Sequence, residues 1–286
     1  MQIGFIGLGA MGGALARNLI RAEKQTLVYD LNPEAIQRTL AAGTSGKAAD
    51  RLSELSEADT IFTSLPLPEH LEQVMLGDEG LLASMKPGVT YIDVSTVDPQ
   101  TARKLSDAAD ARGVEFLACP LGKSPAHAEK AEEPIFAGGD KAVFEKTKTV
   151  LEIVGSPVYY LGDVEAACAF KLISNLVGMT NLAVLAEGMR IGEKAGIDNT
   201  TLLELLDETG AKSFQMDLRG PWIADGDFES RFGVDLTVKD LRLGCEMAQA
   251  WGNDAKTMQV ALDYYKKASA EGLGSEDCNA IYKVIK

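Results

Sequence analysis

The chain has 286 residues, 46% hydrophobic and 24% charged, the size and balance of a globular protein of about two domains with a real core. Its 42 acidic and 28 basic residues give a formal charge of −14, which repels phosphate backbones and anionic headgroups and argues against a nucleic-acid or membrane partner. An anionic substrate would need a locally positive pocket.

The first half alternates short aliphatic runs with helical patterns. Strands are predicted at Gln2–Ile6, Thr26–Tyr29, Thr60–Thr63, Thr90–Asp93, Glu115–Leu117, Ile135–Ala137 and Pro157–Tyr160, with helices between them such as Met11–Ala22, Pro33–Ala42 and Gln100–Arg112. This alternation predicts βαβ crossovers and a mostly parallel sheet covered on both faces, a Rossmann-type doubly wound α/β domain over residues 1–162. From 163 to 286 only 3.5-type periodic stretches follow, near 164–194, 198–209, 236–251, 255–270 and 275–285, so an all-α domain joined by a long helix is expected. The first stretch would be about 45 Å long at 1.5 Å per residue, enough to leave surface for another subunit. A homodimer or homotetramer is expected on it. The most apolar window, Phe170 to Met189, carries Lys171, Asn175, Asn181 and Glu187 and reads as a buried helix rather than a membrane span.

Gly7, Gly9 and Gly12 form Gly-x-Gly-x-x-Gly directly after the first strand, together with Leu8, Ala10 and Met11. Gly7 permits a tight turn, Gly9 lets the backbone approach a pyrophosphate, and Gly12 lets helix and strand pack closely. Asp30 closes the second strand, where a carboxylate can accept both adenosine ribose hydroxyls and repel a 2′-phosphate. Leu31 and Asn32 follow without an arginine, so NAD is expected over NADP. Ser64-Leu65-Pro66 and Asp93-Val94-Ser95-Thr96 end later strands at the ligand-binding edge of such sheets. Taken alone these last are weak, since Ser-Thr before a helix is often an N-cap, as Asp98-Pro99 would be.

Cys119, Cys168, Cys245 and Cys278 contain no Cys-x-x-Cys and read as free thiols in a reducing cytoplasm. His70 and His127 have no metal-ligand spacing, so no metal is expected. Cys119 with His127 lacks a third partner for nucleophilic catalysis. The loop Cys119-Pro120-Leu121-Gly122-Lys123-Ser124 carries a lysine that alone would read as a solvated charge. Glu132 and Glu133 read as a solvated loop, and Trp222 as core of the helical domain. Lys171 and Asn175, four apart on one helix face, interrupt a very apolar stretch, where a lysine is costly unless paired or working.

These motifs together resemble the β-hydroxyacid dehydrogenase family, which includes 3-hydroxyisobutyrate dehydrogenases. The resemblance covers essentially the whole chain through Gly-Phe-Ile-Gly-Leu-Gly-Ala-Met-Gly at 4–12, Asp-Val-Ser-Thr at 93–96, Gly138-Gly139, Lys171 with Asn175, and Lys239-Asp240-Leu241. It implies hydride transfer between a nicotinamide and a hydroxy acid or its semialdehyde, with Lys171 as general acid/base and Asn175 orienting substrate. It further implies Ser95 on the substrate and Lys239 beside the nicotinamide. Leu65, Pro66 and Thr96 are expected along the cofactor from their place at the strand ends, where short side chains and free backbone groups can hold its nicotinamide half. The usual Ala-Pro-Val-Ser-Gly-Gly segment is Cys-Pro-Leu-Gly-Lys-Ser here, so Gly122 replaces a substrate-binding serine and Lys123 a glycine. The usual Gly-Thr-Leu is Ala131-Glu132-Glu133, and the Asn-Asn pair is Ser174-Asn175. The altered loop is similar to that of sulfolactaldehyde reductases, in which an arginine at the Lys123 position grips a sulfonate. A lysine gives a point charge where arginine gives a planar fork. A small anionic substrate is therefore expected. The alternatives are an imine reductase, which usually has Asp or Tyr at the Lys171 position, and a non-catalytic NAD-binding assembly module.

Overall fold

A computed structural model describes all 286 residues, which divide into two compact units, Met1–Lys171 and Leu172–Lys286. In chain order the first contains β1 (Gln2–Ile6), α1 (Ala10–Arg21), β2 (Gln25–Tyr29), α2 (Pro33–Leu40), β3 (Gly46–Ala48), β4 (Thr60–Thr63) and α3 (Pro68–Leu76). It continues with β5 (Thr90–Asp93), α4 (Pro99–Asp110), β6 (Glu115–Ala118), α5 (Pro125–Ala128), β7 (Ile135–Gly139), α6 (Lys141–Val154), β8 (Val158–Tyr160) and the start of α7 (Val164–Lys194). The strands form one sheet ordered β3-β2-β1-β4-β5-β6-β7-β8. Every neighbouring pair is parallel except β6 and β7, which meet antiparallel through Leu117–Gly139 and Ala118–Gly138. The order reverses between β1 and β4, the switch point at which such sheets bind ligands. The sequence pattern does not signal β3, because Gly46-Lys47-Ala48 has no apolar run.

Alternate residues of each strand feed two cores. Ile6, Ile61, Tyr91 and Phe116 enter one; Ile3, Phe5, Phe62, Ile92 and Leu117 enter the other. Each fully buried large side chain contributes about 1.5–3 kcal/mol, and Phe5 stacks on Phe62 at 5.4 Å between centroids. Asp98 caps α4 by accepting the Thr101 N–H at 2.9 Å with Pro99 behind it, as the Asp-Pro signal predicts.

The second unit contains the rest of α7, then α8 (Asn199–Asp207), α9 (Phe214–Asp225), α10 (Val234–Ala250) and α11 (Lys256–Ala268). A π-type turn at Ser269–Leu273 and a 3-10 turn at Cys278–Lys283 close it. The sequence pattern misses α9, whose interior holds Gly220 and Pro221. The periodic stretch predicted near 275–285 is not an α-helix. Asp277, fully buried, holds it as a tight turn: its carboxylate pairs with Arg219 Nε at 2.9 Å and accepts the Phe232 N–H at 2.8 Å and the Asn279 N–H at 3.2 Å. Trp222 corrects its expectation too. It is half-buried, with the Arg231 guanidinium 4.1 Å from its ring centroid.

Helix α7 is long and apolar enough to cross a membrane by length and composition alone, with 44% of its most apolar window buried. It is buried along one face only: Ile173, Val177, Val184 and Ile191 are exposed, the kind of surface that its length was expected to leave.

Removing one partner of the Arg219–Asp277 pair leaves a buried charge alone. Asp277→Ala is expected to lose about 3–5 kcal/mol. Urea unfolding followed by tryptophan fluorescence reads this unit specifically, since both tryptophans, Trp222 and Trp251, lie in it.

Candidate active site

At the end of β1 the chain turns sharply at Gly7, whose φ of +87° favours glycine. Its N–H donates to the Tyr29 carbonyl at 3.0 Å. A Cβ on Gly12 would overlap the Gly7 carbonyl oxygen, whereas the space in front of Gly9 is open. Helix α1 then starts with no side-chain cap and no acid in its first turn. Its first N–H groups, at the positive end of the helix dipole, are available to an anion. The Asp30 carboxylate accepts the Leu8 N–H at 2.5 Å and the Asn32 N–H at 2.7 Å, tying the glycine loop to the end of β2. A cavity of about 570 Å³ opens here, lined by Leu8, Gly9, Ala10, Arg17, Arg38 and Glu129, with Met11 half-buried nearby in α1 and Leu31 89% exposed. An uncapped helix start, a cradle that a Cβ would fill and a carboxylate at the second strand fit a dinucleotide. Arg38 is a residue that the sequence reading missed, because it sought a phosphate-binding arginine directly after Asp30.

At the ends of β4 and β5 a buried polar chain fixes the next loops. Tyr91 bonds Thr63 at 3.0 Å, and Thr63 Oγ1 donates to Asp93 at 2.7 Å. Ser95 Oγ donates to Asp93 at 2.6 Å and accepts the Leu65 N–H at 2.9 Å. Ser95 is only 4% exposed, and its proton is committed to Asp93, leaving one lone pair for a ligand. Leu65 and Thr96 are half-buried and Pro66 is exposed.

The loop after β6 lies antiparallel to the start of β7, with Gly122 N–H donating to the Pro134 carbonyl at 2.9 Å and Phe136 N–H to the Pro120 carbonyl at 3.0 Å. Lys123 has φ +45° and Ala131 φ +56°, left-handed conformations that suit glycine. The exposed Lys123 Nζ donates to the Glu132 carbonyl at 3.3 Å. Short α5 is pinned to α1: Asn18 Nδ2 donates to the Ala128 carbonyl at 2.8 Å, and Glu129 bonds Arg17 and Arg21. Hydrogen bonds from Arg17, offset partly by burial, draw the Glu129 carboxyl down to about 2. His127 bonds Ser124 at 2.8 Å, while burial pushes the Cys119 thiol up; these two make no nucleophilic pair.

Glu133 overturns the expectation of a solvated loop. Glu132 is exposed, but Glu133 has no exposed surface, and neither carboxylate oxygen accepts a hydrogen bond. Burial pushes its carboxyl up to about 8 against the opposing pull of Lys171 and Lys123. Nothing in the sequence separates Glu133 from Glu132; only the fold does.

In the second unit, Asn175 Nδ2 donates to Asp240 Oδ2 at 2.6 Å, and Asp240 pairs with Lys239 Nζ at 2.6 Å. Lys239 and Asp240 are nearly buried, and Ser174 is exposed. Gly244 permits α10 to approach α7 here, since a Cβ would lie 2.7 Å from Leu176 Cδ1. Asn175 and Lys239, far apart in sequence, are thus joined by Asp240. Asp240 carried a motif signal but no assigned role.

The fold and the glycine cradle define a dinucleotide-binding oxidoreductase. Residues 2–162 match the NAD binding domain of 6-phosphogluconate dehydrogenase, and residues 166–285 match the NAD-binding region of NADP-dependent 3-hydroxyisobutyrate dehydrogenase. The chain is 34% identical over 286 residues to 2-(hydroxymethyl)glutarate dehydrogenase of Eubacterium barkeri, covering 99% of this chain and 94% of that protein. It is 30% identical over 291 residues to NAD-dependent L-serine dehydrogenase of Pseudomonas aeruginosa, covering 99% and 97%. The crystal structure of 3-hydroxyisobutyrate dehydrogenase from Salmonella typhimurium is similar at TM-score 0.89 and 30% identity, covering 99% of both chains. The protein belongs to the β-hydroxyacid dehydrogenase family. It is an NAD(P)-linked enzyme acting on CH–OH, of the hydroxy acid and semialdehyde class.

Two outcomes follow for the first unit. Gly12→Ala is expected to abolish dinucleotide binding by calorimetry, because the cradle must open to admit the methyl group. For Glu133 the folded carboxyl titrates near 8 against an ordinary 4.5, so its cost to stability develops as pH rises through that window and is complete above it. Glu133→Gln is therefore expected to melt several degrees higher than wild type at alkaline pH, with the gain vanishing in mild acid. An equal gain at both ends of a melting series would show that Glu133 does not titrate there.

Proposed function

We propose that the chain is an NAD-dependent dehydrogenase that interconverts a small anionic 3-hydroxy acid, or hydroxy-sulfonate, and its semialdehyde, with Lys171 as general acid/base. One observation carries this reading: Lys123 and Lys171, distant in sequence, both act on the same buried carboxyl, Glu133. Two ammonium groups thus gather in one locality of a −14 protein, as an anionic substrate requires.

When bound, the nicotinamide supplies the hydride donor or acceptor. In oxidation Lys171, as the neutral amine, takes the proton of the substrate hydroxyl; in reduction its ammonium gives a proton to the forming alkoxide. An ordinary lysine titrates near 10.4, and the charge of Lys123 would lower that while an ionised Glu133 would raise it. Asn175, held by Asp240, would orient substrate, with Ser174 beside it. Ser95 could accept a hydrogen bond from substrate, and Lys239 would lie along the nicotinamide. Gly122 opens no space of its own, since a Cβ there would lie 2.7 Å from Pro134 Cγ, so the anion preference rests on the charge of Lys123.

The left-handed backbone of Lys123 supports a functional role. A side chain there is held at a cost of about 1–2 kcal/mol relative to glycine, which a solvated charge would not repay. The preference for NAD rests on the Asp30 carboxylate, which would repel a 2′-phosphate; Arg38 beside the same cavity is the group that would favour NADP. A second copy of the chain is proposed on α7, where Ile173, Val177, Val184 and Ile191 form an exposed apolar row at the spacing of a helix-pairing seam. A cytoplasmic location rests on four free thiols.

Initial rates with succinic, methylmalonic and tartronic semialdehydes, glyoxylate and sulfolactaldehyde test the reading. Lys171→Ala is expected to lower kcat by about 10²–10⁴-fold on every active substrate. Lys123→Gly is expected to raise thermal stability while losing about 2–4 kcal/mol in kcat/KM on the most strongly anionic substrate. Equal activity of Lys123→Gly and wild type across the panel would remove the anion assignment. Higher kcat/KM with NADPH than NADH, abolished by Arg38→Ala, would remove the NAD assignment.

A further inference from the structure

The loop between α5 and β7 buries an acid where nothing in the fold requires one. Lys123 from the preceding loop reaches over this segment to the Glu132 carbonyl at 3.3 Å. Gly155, at the end of α6, packs so close to the Glu133 carbonyl that a Cβ there would overlap it. The Glu133 side chain in this segment has no exposed surface, and both its oxygens are free of hydrogen bonds. The charged groups that bear on it are Lys171 from α7 and Lys123 from the loop. A buried carboxyl is normally satisfied by donors or replaced by an apolar residue.

We propose that Glu133 is a positioning residue for catalysis, a buried carboxyl whose proton equilibrium is coupled to that of Lys171 and sets the pH range over which the lysine remains an acid. This rests on Lys171 as the acid/base of the reaction. With both groups protonated, Lys171 is the ammonium needed for reduction. Loss of the first proton leaves either a carboxylate beside an ammonium or a carboxylic acid beside an amine, two forms with the same proton count. The carboxylate form retains the proton on Lys171, so the ammonium persists to higher pH than it would beside a neutral residue. The dry surroundings oppose full separation of charge and keep a share of the neutral pair. Glu133 thus favours proton donation to the semialdehyde at alkaline pH, once its own proton has left. No bond to Glu133 forms or breaks except that to its proton.

The test is kcat/KM for semialdehyde reduction across about pH 6–10, for wild type and Glu133→Gln. The glutamine matches the acid in shape but cannot ionise. The falling limb of the wild-type profile is expected about one pH unit above that of Glu133→Gln, the size of shift given by one nearby opposite charge. Superimposable profiles would overturn the coupling. Lys171→Ala separates the two levels: if it retains wild-type turnover, the acid/base assignment itself fails. If it is inactive while Glu133→Gln matches wild type, only the coupling fails. A second measurement does not depend on the variant folding. Reductive ¹³C-methylation of the wild-type protein allows the Lys171 resonance to be titrated by NMR. Two inflections, one reporting Glu133, are expected; a single inflection at the ordinary lysine position would overturn the proposal.

Discussion

A sheet that is apolar on both faces leaves its strands only one place to do polar chemistry, their ends. In the first unit β1, β4, β5 and β6 are buried on both sides by the two cores, so every polar group of consequence is displaced to the carboxyl edge. There the chain leaves few polar atoms loose. Asp93 takes hydrogen bonds from Thr63 and from both the hydroxyl and the N–H of Ser95. Ser95 in turn fixes Leu65, and Asp30 fixes Leu8. Such a closed network holds the loops at defined positions because each member would be left unsatisfied by movement of the next.

The loop carrying Lys123 obeys the same logic with an added strain. Left-handed backbone at Lys123 and Ala131 persists only where the surroundings over-determine it. The surroundings here are the antiparallel contact with β7 and the clamp of Arg17, Arg21 and Asn18 on α5. The clamp runs from α1, the helix whose start faces the cofactor cavity, so one helix fixes both the cradle and the loop that presents Lys123. At Ala131 the strain brings no charge, and its position one residue before Glu132 makes it part of the turn that carries Glu133 inward.

Much of this was legible in sequence, for reasons that differ from residue to residue. The glycine cradle and Asp30 could be read because each does its work through backbone geometry, which a short local motif encodes. The doubly wound sheet followed from alternating periodicity, and the helical half from the change of period. Strand β3 escaped because it has no apolar run, and α9 because Gly220 and Pro221 look like breakers whereas Pro221 sits inside the helix. The turn at Cys278–Lys283 escaped because Asp277 sets its shape through partners on α9 and on the segment before α10. Asp240 and Glu133 are harder still, since their roles arise from tertiary neighbours, Asn175 and Lys239 for one, Lys123 and Lys171 for the other.

The buried acids, set beside one another, separate what the fold needs from what it tolerates. Asp93 sits among donated hydrogen bonds, Asp240 between Asn175 and Lys239, and Asp277 between a guanidinium and several backbone N–H groups. In each case the charge is matched by donors, and removing the acid would strand them. Glu133 strands nothing of that kind, for no N–H or O–H donates to its side chain. By packing and solvation alone a glutamine or an apolar residue would serve the fold as well or better. A residue that the fold would gain by losing, placed where two lysines act on it, is most economically explained by the chemistry of those lysines.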